Sequence, residues 1–572
     1  MISLKKSLIS ALDRAPREPF LGDPILHVTK TILPPTSWKA YNLSSKQINS
    51  LERYIGITAY AMAQRFASCN DVQMYVTYGA SLFMKYLQED TDETLGIIEE
   101  KIAQELRGKK AIPPCTLPED KENRALKNDE ALERSLTTEI VARAKQRIKN
   151  SKGGGGSVIR AMMAVYNEIV AACIEKGINP HLKNLTLGDV TGKNMPQPVV
   201  DAMGYDPLGR KGLAIGARAQ AYEAMLYTAG VDFDPHRYDL AALGWIGLRQ
   251  RFIEYGNQFG LYTSHKVQES MIGEGGAGTL LRVFTAIHMH LQIKEPDKKF
   301  SVYFPNPAFR MVGDAARDAG LSVVEVATKP HEGFFPDMKD VDVYLSDHPE
   351  CKGYIFIPIG NPNANFPLTK KVEELLKVLE RHNVYLVNDF AYLGTGEEQK
   401  NNELAHVLST YKKRVDSYSM SKIFGRTGLR CGCAITPDED LAAQFSPAAK
   451  HIQLGLSYPM EQEAMAIWDY VSQEDRNVLN NYYKTQQKNL LQTLQNNDKK
   501  RIEKGKLPLF NGDKPIFNQA GLYLYIALYE GVDAFDVLQE TGYVGVPDSA
   551  FSHSSLTIEG PYMRFALGVE RI

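Results

Sequence analysis

From about residue 236 to residue 445 the chain alternates apolar runs of strand length with segments of helix length. Strands joined by helical crossovers lie parallel, because each helix returns the chain to the edge it left, and the helices cover the faces of the sheet. The alternation therefore predicts an α/β fold with a mostly parallel sheet flanked by helices. Val384-Tyr385-Leu386-Val387-Asn388-Asp389 is its most telling segment. An apolar run ending in an acid reads as a buried parallel strand whose last residue, Asp389, reaches the mouth of the sheet, where α/β proteins bind ligands. The competing reading of Asp389 is a helix N-cap after the strand. Gly353 to Gly360 reads as another strand, and the turn-rich loop Asn361 to Pro367 at its carboxyl end would set Asn361 beside Asp389.

A second segment carries chemistry. Ser419-Met420-Ser421-Lys422-Ile423-Phe424-Gly425-Arg426-Thr427-Gly428-Leu429-Arg430 follows a strand-like stretch and sets Lys422 among small hydroxyl residues, with Arg430 eight positions on. A lysine forms an imine only when its amine is neutral, a state favoured by desolvation or a neighbouring cation. Ser419, Ser421 and Arg430 can grip a phosphate, the arginine as a charge-assisted fork. The stretch thus suits a Schiff base to an aldehyde cofactor that bears a phosphate, pyridoxal 5'-phosphate being one candidate; its plainer reading is a solvated Lys/Arg loop. Gly273 to Arg282 is glycine-rich and precedes the apolar helical run Val283 to Leu291. Amides at a helix start converge on an anion, whereas the lysine and hydroxyl of a nucleotide P-loop are missing. Near the end, Arg564 interrupts the strand-like Tyr562-Met563-Arg564-Phe565-Ala566-Leu567, and a guanidinium amid apolar neighbours must find a partner or reach water.

In order and approximate spacing these segments resemble the class I/II aminotransferases, the fold-type I enzymes that use pyridoxal phosphate and are similar to aspartate aminotransferase, over roughly residues 157 to 572. The resemblance implies Lys422 as the Schiff-base lysine and proton shuttle, Asp389 as partner of the pyridinium nitrogen, and Tyr392 with Asn361 at the ring oxygen. It implies phosphate contacts from the Gly276 and Ala277 backbone and from Ser419, Ser421 and Arg430. Phe309 resembles the aromatic that stacks on the ring, Arg564 the arginine that holds the substrate α-carboxylate with Asn361, and Gly188, in Leu187 to Thr191, part of the substrate-side loop. Leu243 to Arg249 resembles a helix start, and Tyr238 the tyrosine lent across a dimer to the neighbouring phosphate. Val546 to Phe551 resembles a late loop in which Asp548 replaces glycine. Arg426 and Cys431 depart from the family pattern, Ala277 replaces a hydroxyl residue, and no arginine stands at 453–459 for a second substrate carboxylate, which disfavours dedicated aspartate or glutamate specificity.

The implied organisation is a helical N-terminal extension and linker over residues 1–156, a smaller α+β domain from 157–235 with 446–572, and a large cofactor-binding domain at 236–445. The implied activity is amino-group transfer between an amino acid and a 2-oxo acid in a homodimer. A lyase or decarboxylase on the same scaffold remains open, as does a regulatory or scaffold protein whose N-terminal helices carry the main activity.

With 66 basic and 68 acidic residues in 572, and no basic domain, the chain offers nucleic acid no electrostatic footprint. It has no signal-peptide core or membrane-length apolar run, so a cytoplasmic setting is the default. Six scattered cysteines read as buried thiols rather than a disulfide framework or metal site. Upstream, Ile48, Leu51, Ile55 and Met62, then Ile98, Ile102 and Leu106, recur at helical spacing; Glu119 to Lys149 reads as solvated helix, and Gly153 to Gly156 as a flexible break.

Overall fold

The computed structural model describes residues 126–150, 156–190, 195–228, 239, 241–262, 266–552 and 560–568. The helical expectations upstream of residue 126 and the dimer role of Tyr238 lie outside them. Contacts divide the chain into two units, one of which holds, among described residues, 204–228 and 465–470. In it Arg218 Nε donates to Asp469 Oδ2 at 2.9 Å. The other unit holds the described residues within 124–203, 238–464 and 471–572.

This unit opens with helices α1 (Glu130–Asn150) and α2 (Gly156–Glu175) and a two-residue strand, β1 (Lys183–Asn184). Glu133, Thr137, Ile140, Val141 and Ala144 of α1 are buried, at the spacing of one helical face. The highly charged segment is therefore solvated on its outer side only: Ile140, Val141 and Ala144 join Met162, Val165 and Ile169 of α2 in one apolar core. Gly156, read as part of a linker, is the first residue of α2.

The central sheet contains β2 (Ser270–Glu274), β3 (Ser301–Asn306), β4 (Ser322–Ala327), β5 (Cys351–Phe356), β6 (Tyr385–Asp389), β7 (Arg414–Ser419) and β8 (Cys431–Ile435). Its order is β2-β8-β7-β6-β5-β3-β4, and all pairings are parallel except those of β8. The carboxyl ends of β5, β6 and β7 thus share one edge. Because β8 runs opposite to both its neighbours, β2 also ends at that edge: Glu274 faces Cys431, and Ser419 faces Gly432. Helix α3 (Gly275–Lys294) packs Leu280, Val283, Phe284, Ile287 and Leu291 into the core formed with Val302, Ile355, Val387 and Val415. Their i, i+3, i+4 and i+7 spacing makes one stripe, each large side chain contributing about 1.5–3 kcal/mol by burial. Cys431 and Cys433 are buried free thiols on β8.

A smaller antiparallel sheet joins β9 (Tyr523–Ala527), β11 (Val546–Pro547) and β12 (Tyr562–Ala566), while β10 (Tyr543–Val544) pairs with β1. Leu524, Ile526, Met563 and Phe565 project into the core shared with α1 and α2. Side chains alternate across a strand, so Tyr523, Tyr525, Tyr562 and Arg564 occupy the opposite face. Helix α4 (Gln473–Glu503), capped by Ser472, supports β9 through Gln487, whose Nε2 donates to the Gly521 and Tyr523 carbonyls at 3.2 and 2.8 Å. No helix among the described residues is long and apolar enough to cross a membrane.

Candidate active site

The glycine segment begins α3 instead of preceding it: the helix starts at Gly275, so the amides of Gly276 and Ala277 belong to its first turn. First-turn amides have no intrahelical acceptor, and the helix dipole adds positive potential there. Beside them Ser419, the last residue of β7, caps the short helix Met420–Ile423 by accepting from Ser421 N at 3.2 Å, and its hydroxyl donates to Ser421 Oγ at 3.0 Å. A Cβ on Gly276 would stand 3.5 Å from Ser419 Cβ, so helix and strand end meet. Arg430 donates to the Thr427 and Glu274 carbonyls at 3.2 and 3.3 Å. Two serine hydroxyls, a guanidinium and helix-start amides thus converge on a site suited to a phosphate.

Gly275 is required at its position. Its φ is +68°, and a Cβ there would lie 2.6 Å from Arg430 Nη2. Gly275→Ala is expected to push the guanidinium aside and cost about 1 kcal/mol or more through backbone strain. Thermal unfolding measures the second effect; titration with pyridoxal phosphate measures the first, as a loss of affinity on the order of tenfold.

At the same edge Asp389 is buried, its Oδ1 accepting from Ala391 N at 3.1 Å. Burial, opposed only by that hydrogen bond, pushes its carboxyl up to about 6. Such a group is mostly ionised at neutral pH and gains stability from a cation brought against it. Lys422 shows the converse. Burial lowers its amine to about 8, with Arg564 and Arg430 acting in the same direction and Asp189 opposing them, while Nζ donates to the Gly188 carbonyl. At neutral pH a lysine so placed offers roughly 10²-fold more neutral amine than an ordinary one. Capture of an aldehyde by the protein is accordingly expected to accelerate with pH to a midpoint near 8, falling about tenfold per unit below it. Stopped-flow absorbance with pyridoxal phosphate reads this rate; a midpoint near that of free lysine would refute the assignment.

Arg564 is buried in β12. Nη1 donates to Asn361 Oδ1 at 2.8 Å and Nη2 to the Thr186 carbonyl at 2.5 Å, whereas Nε has no partner. Its guanidinium carbon lies 4.6 Å from the Tyr523 ring centroid and 4.8 Å from that of Phe551. Both rings lie against a cation that has no carboxylate among its hydrogen-bond partners, and burial lowers its pKa. A buried, uncompensated guanidinium is costly and invites a carboxylate. Tyr392 is buried as well, with its hydroxyl 2.9 Å from that of Tyr523.

These contacts bring most of the sequence-derived positions together. Lys422 meets Gly188, Gly188 packs on Tyr523, and Tyr523 joins Tyr392 to Arg564 and thereby to Asn361. Asp389 contributes to the potential at both Tyr392 and Tyr523. Phe309 lies half-buried against the core beyond the end of β3, with no ring contact to another site residue among the described residues. Sequence reasoning overlooked Tyr523, Thr186 and Gly275. Only Gly275 carried a local signal, as the glycine next to Gly276; Tyr523 looked like any strand tyrosine.

The fold is that of the aminotransferase class I and II family. That family's model matches residues 257–556, and the chain belongs to it. Among curated relatives, the aspartate/prephenate aminotransferase of Thermus thermophilus is 28% identical over 183 residues, 32% of this chain and 44% of that protein. The LL-diaminopimelate aminotransferase of Oleidesulfovibrio alaskensis is 24% identical over 273 residues, 46% of this chain and 64% of that one. The chain spans less than two thirds of the length of either. The crystal structure of an aspartate aminotransferase from Thermotoga maritima superimposes with a TM-score of 0.52 at 18% identity, covering 72% of this chain and 92% of the other, a likeness of fold.

Proposed function

We propose that this chain is a pyridoxal-phosphate-dependent aminotransferase that moves an amino group between an amino acid and a 2-oxo acid. The observation that carries the reading is the Lys422 amine, lowered to about 8 and joined through Gly188 and Tyr523 to the buried guanidinium of Arg564. The chemistry of the donor set fits the cofactor. The Gly276 and Ala277 amides, Ser419, Ser421 and Arg430 would hold its phosphate, Asp389 its ring nitrogen, Tyr392 and Asn361 its ring oxygen, Phe309 its ring face and Lys422 its aldehyde carbon. When bound, the cofactor supplies a protonated ring that delocalises negative charge developing on carbon.

The remaining work falls to the chain. Arg564, with Asn361 against it, orients the substrate α-carboxylate, and Gly188 lies on the substrate side of Lys422. The Lys422 amine, neutral once released, takes the α-proton and returns it one position away. Asp389 keeps the ring nitrogen protonated by Coulombic attraction in a buried setting. Family membership supports a homodimer. A panel of amino donors with pyruvate or 2-oxoglutarate, followed by absorbance and product analysis, tests the proposal. Stoichiometric conversion of the oxo acid to its amino acid is expected; carbon dioxide release or elimination without amino transfer would assign the chain to the lyase or decarboxylase reading.

A further inference from the structure

We propose that Tyr523 is a positioning residue that directs the Tyr392 hydroxyl and so sets the proton affinity of the bound cofactor. The inference rests on the cofactor reading above. Four observations support it. The hydroxyls of Tyr523 and Tyr392 stand 2.9 Å apart in a buried setting. Gln487 holds the backbone of Tyr523 from behind, donating to its carbonyl at 2.8 Å. The Tyr523 ring lies against the Arg564 guanidinium, 4.6 Å from centroid to carbon. Its hydroxyl also fills the place a side chain at position 188 would need, because a Cβ on Gly188 would come within 2.1 Å of it.

A phenol has one proton to donate. If Tyr392 donates to the cofactor's ring oxygen, it can only accept from Tyr523, so the direction is Tyr523 O–H to Tyr392 O, then Tyr392 O–H to the ring oxygen. A donor that itself accepts a hydrogen bond is polarised and donates more strongly, an effect enhanced away from water. The ring oxygen then carries negative charge more readily, and the bound chromophore holds its proton less tightly. Gly188 and Gln487 fix the phenol so that this direction persists, while the ring face serves Arg564 separately.

Substituting the hydroxyl and the ring in turn separates the two roles. In the holoenzyme, Tyr523→Phe is expected to raise the apparent pKa read from the cofactor's visible absorbance by roughly half a unit to one unit. The KM for the amino donor should change less than about threefold, because the ring over Arg564 remains. Tyr523→Leu should add a rise in KM of about tenfold. In a Tyr392→Phe background, Tyr523→Phe should produce no further spectral shift. An unshifted titration in the single variant, or an equal shift in both backgrounds, overturns the inference while leaving the cofactor reading intact. A wild-type protein that acquires no visible chromophore overturns both.

Discussion

Lys422→Ala is expected to abolish covalent retention of pyridoxal phosphate: the visible band that survives dialysis of the wild type disappears, and turnover falls by about 10²–10⁴-fold from loss of proton transfer alone. The effect follows from the setting of the amine. Lys422 sits in a site whose other cations, Arg564 and Arg430, add to burial in lowering its pKa, and its hydrogen-bond acceptor is a neutral backbone carbonyl. Alanine removes the candidate tether without disturbing Ser419 and Ser421, which are held by their own hydrogen bonds. The phosphate should still bind reversibly, so equilibrium dialysis with the variant distinguishes loss of the tether from loss of the site. A variant that keeps the band after dialysis would sink the assignment of Lys422.

The second large effect concerns Arg564. Substitution by methionine is expected to lower kcat/KM by about 10² or more, since two charge-assisted hydrogen bonds to a substrate carboxylate are lost. The same change should leave the stability of the cofactor-free protein within about 2 kcal/mol of the wild type, because the opposing terms nearly cancel. The guanidinium has no carboxylate among its hydrogen-bond partners, its Nε is unsatisfied, and it lies against the Tyr523 and Phe551 rings. Replacing a buried uncompensated charge by an apolar chain of similar length removes a desolvation cost of several kcal/mol, offset by the charge-assisted hydrogen bonds that Asn361 Oδ1 and the Thr186 carbonyl lose, about 1.5–3 kcal/mol each. Chemical denaturation of the substrate-free variant checks the stability, and steady-state kinetics the activity. A large loss of stability would mean that Arg564 is primarily structural.

Much of the candidate site was legible because its positions lie at strand ends. Asp389 closes an apolar run, and Ser419 ends the next strand, so parallel pairing of β6 with β7 places both at one edge. The glycine-bearing helix start was legible for a similar reason: glycines at a helix start are local, and their amides need no distant partner to face an anion. The helical continuation of the glycine segment was less plain, because glycine disfavours helix interiors and conceals the first turn. The buried face of α1 was hidden by the charge of its outer face, although Ile140, Val141 and Ala144 kept helical spacing.

Local pattern alone determined the α/β alternation, the lysine flanked by hydroxyl residues, the acid at the strand terminus and the glycines at the helix start. Each is set by a few consecutive residues whose backbone geometry dictates where side chains point. Tertiary structure decided which long-range neighbours act together: Lys422 with Gly188, 234 residues away, Tyr392 with Tyr523, 131 away, and Arg564 with Thr186, 378 away. No periodicity encodes such pairings. They arise when the core faces of β9 and β12 bury Leu524, Ile526, Met563 and Phe565, which commits the alternate residues Tyr523 and Arg564 to the opposite, site-facing side.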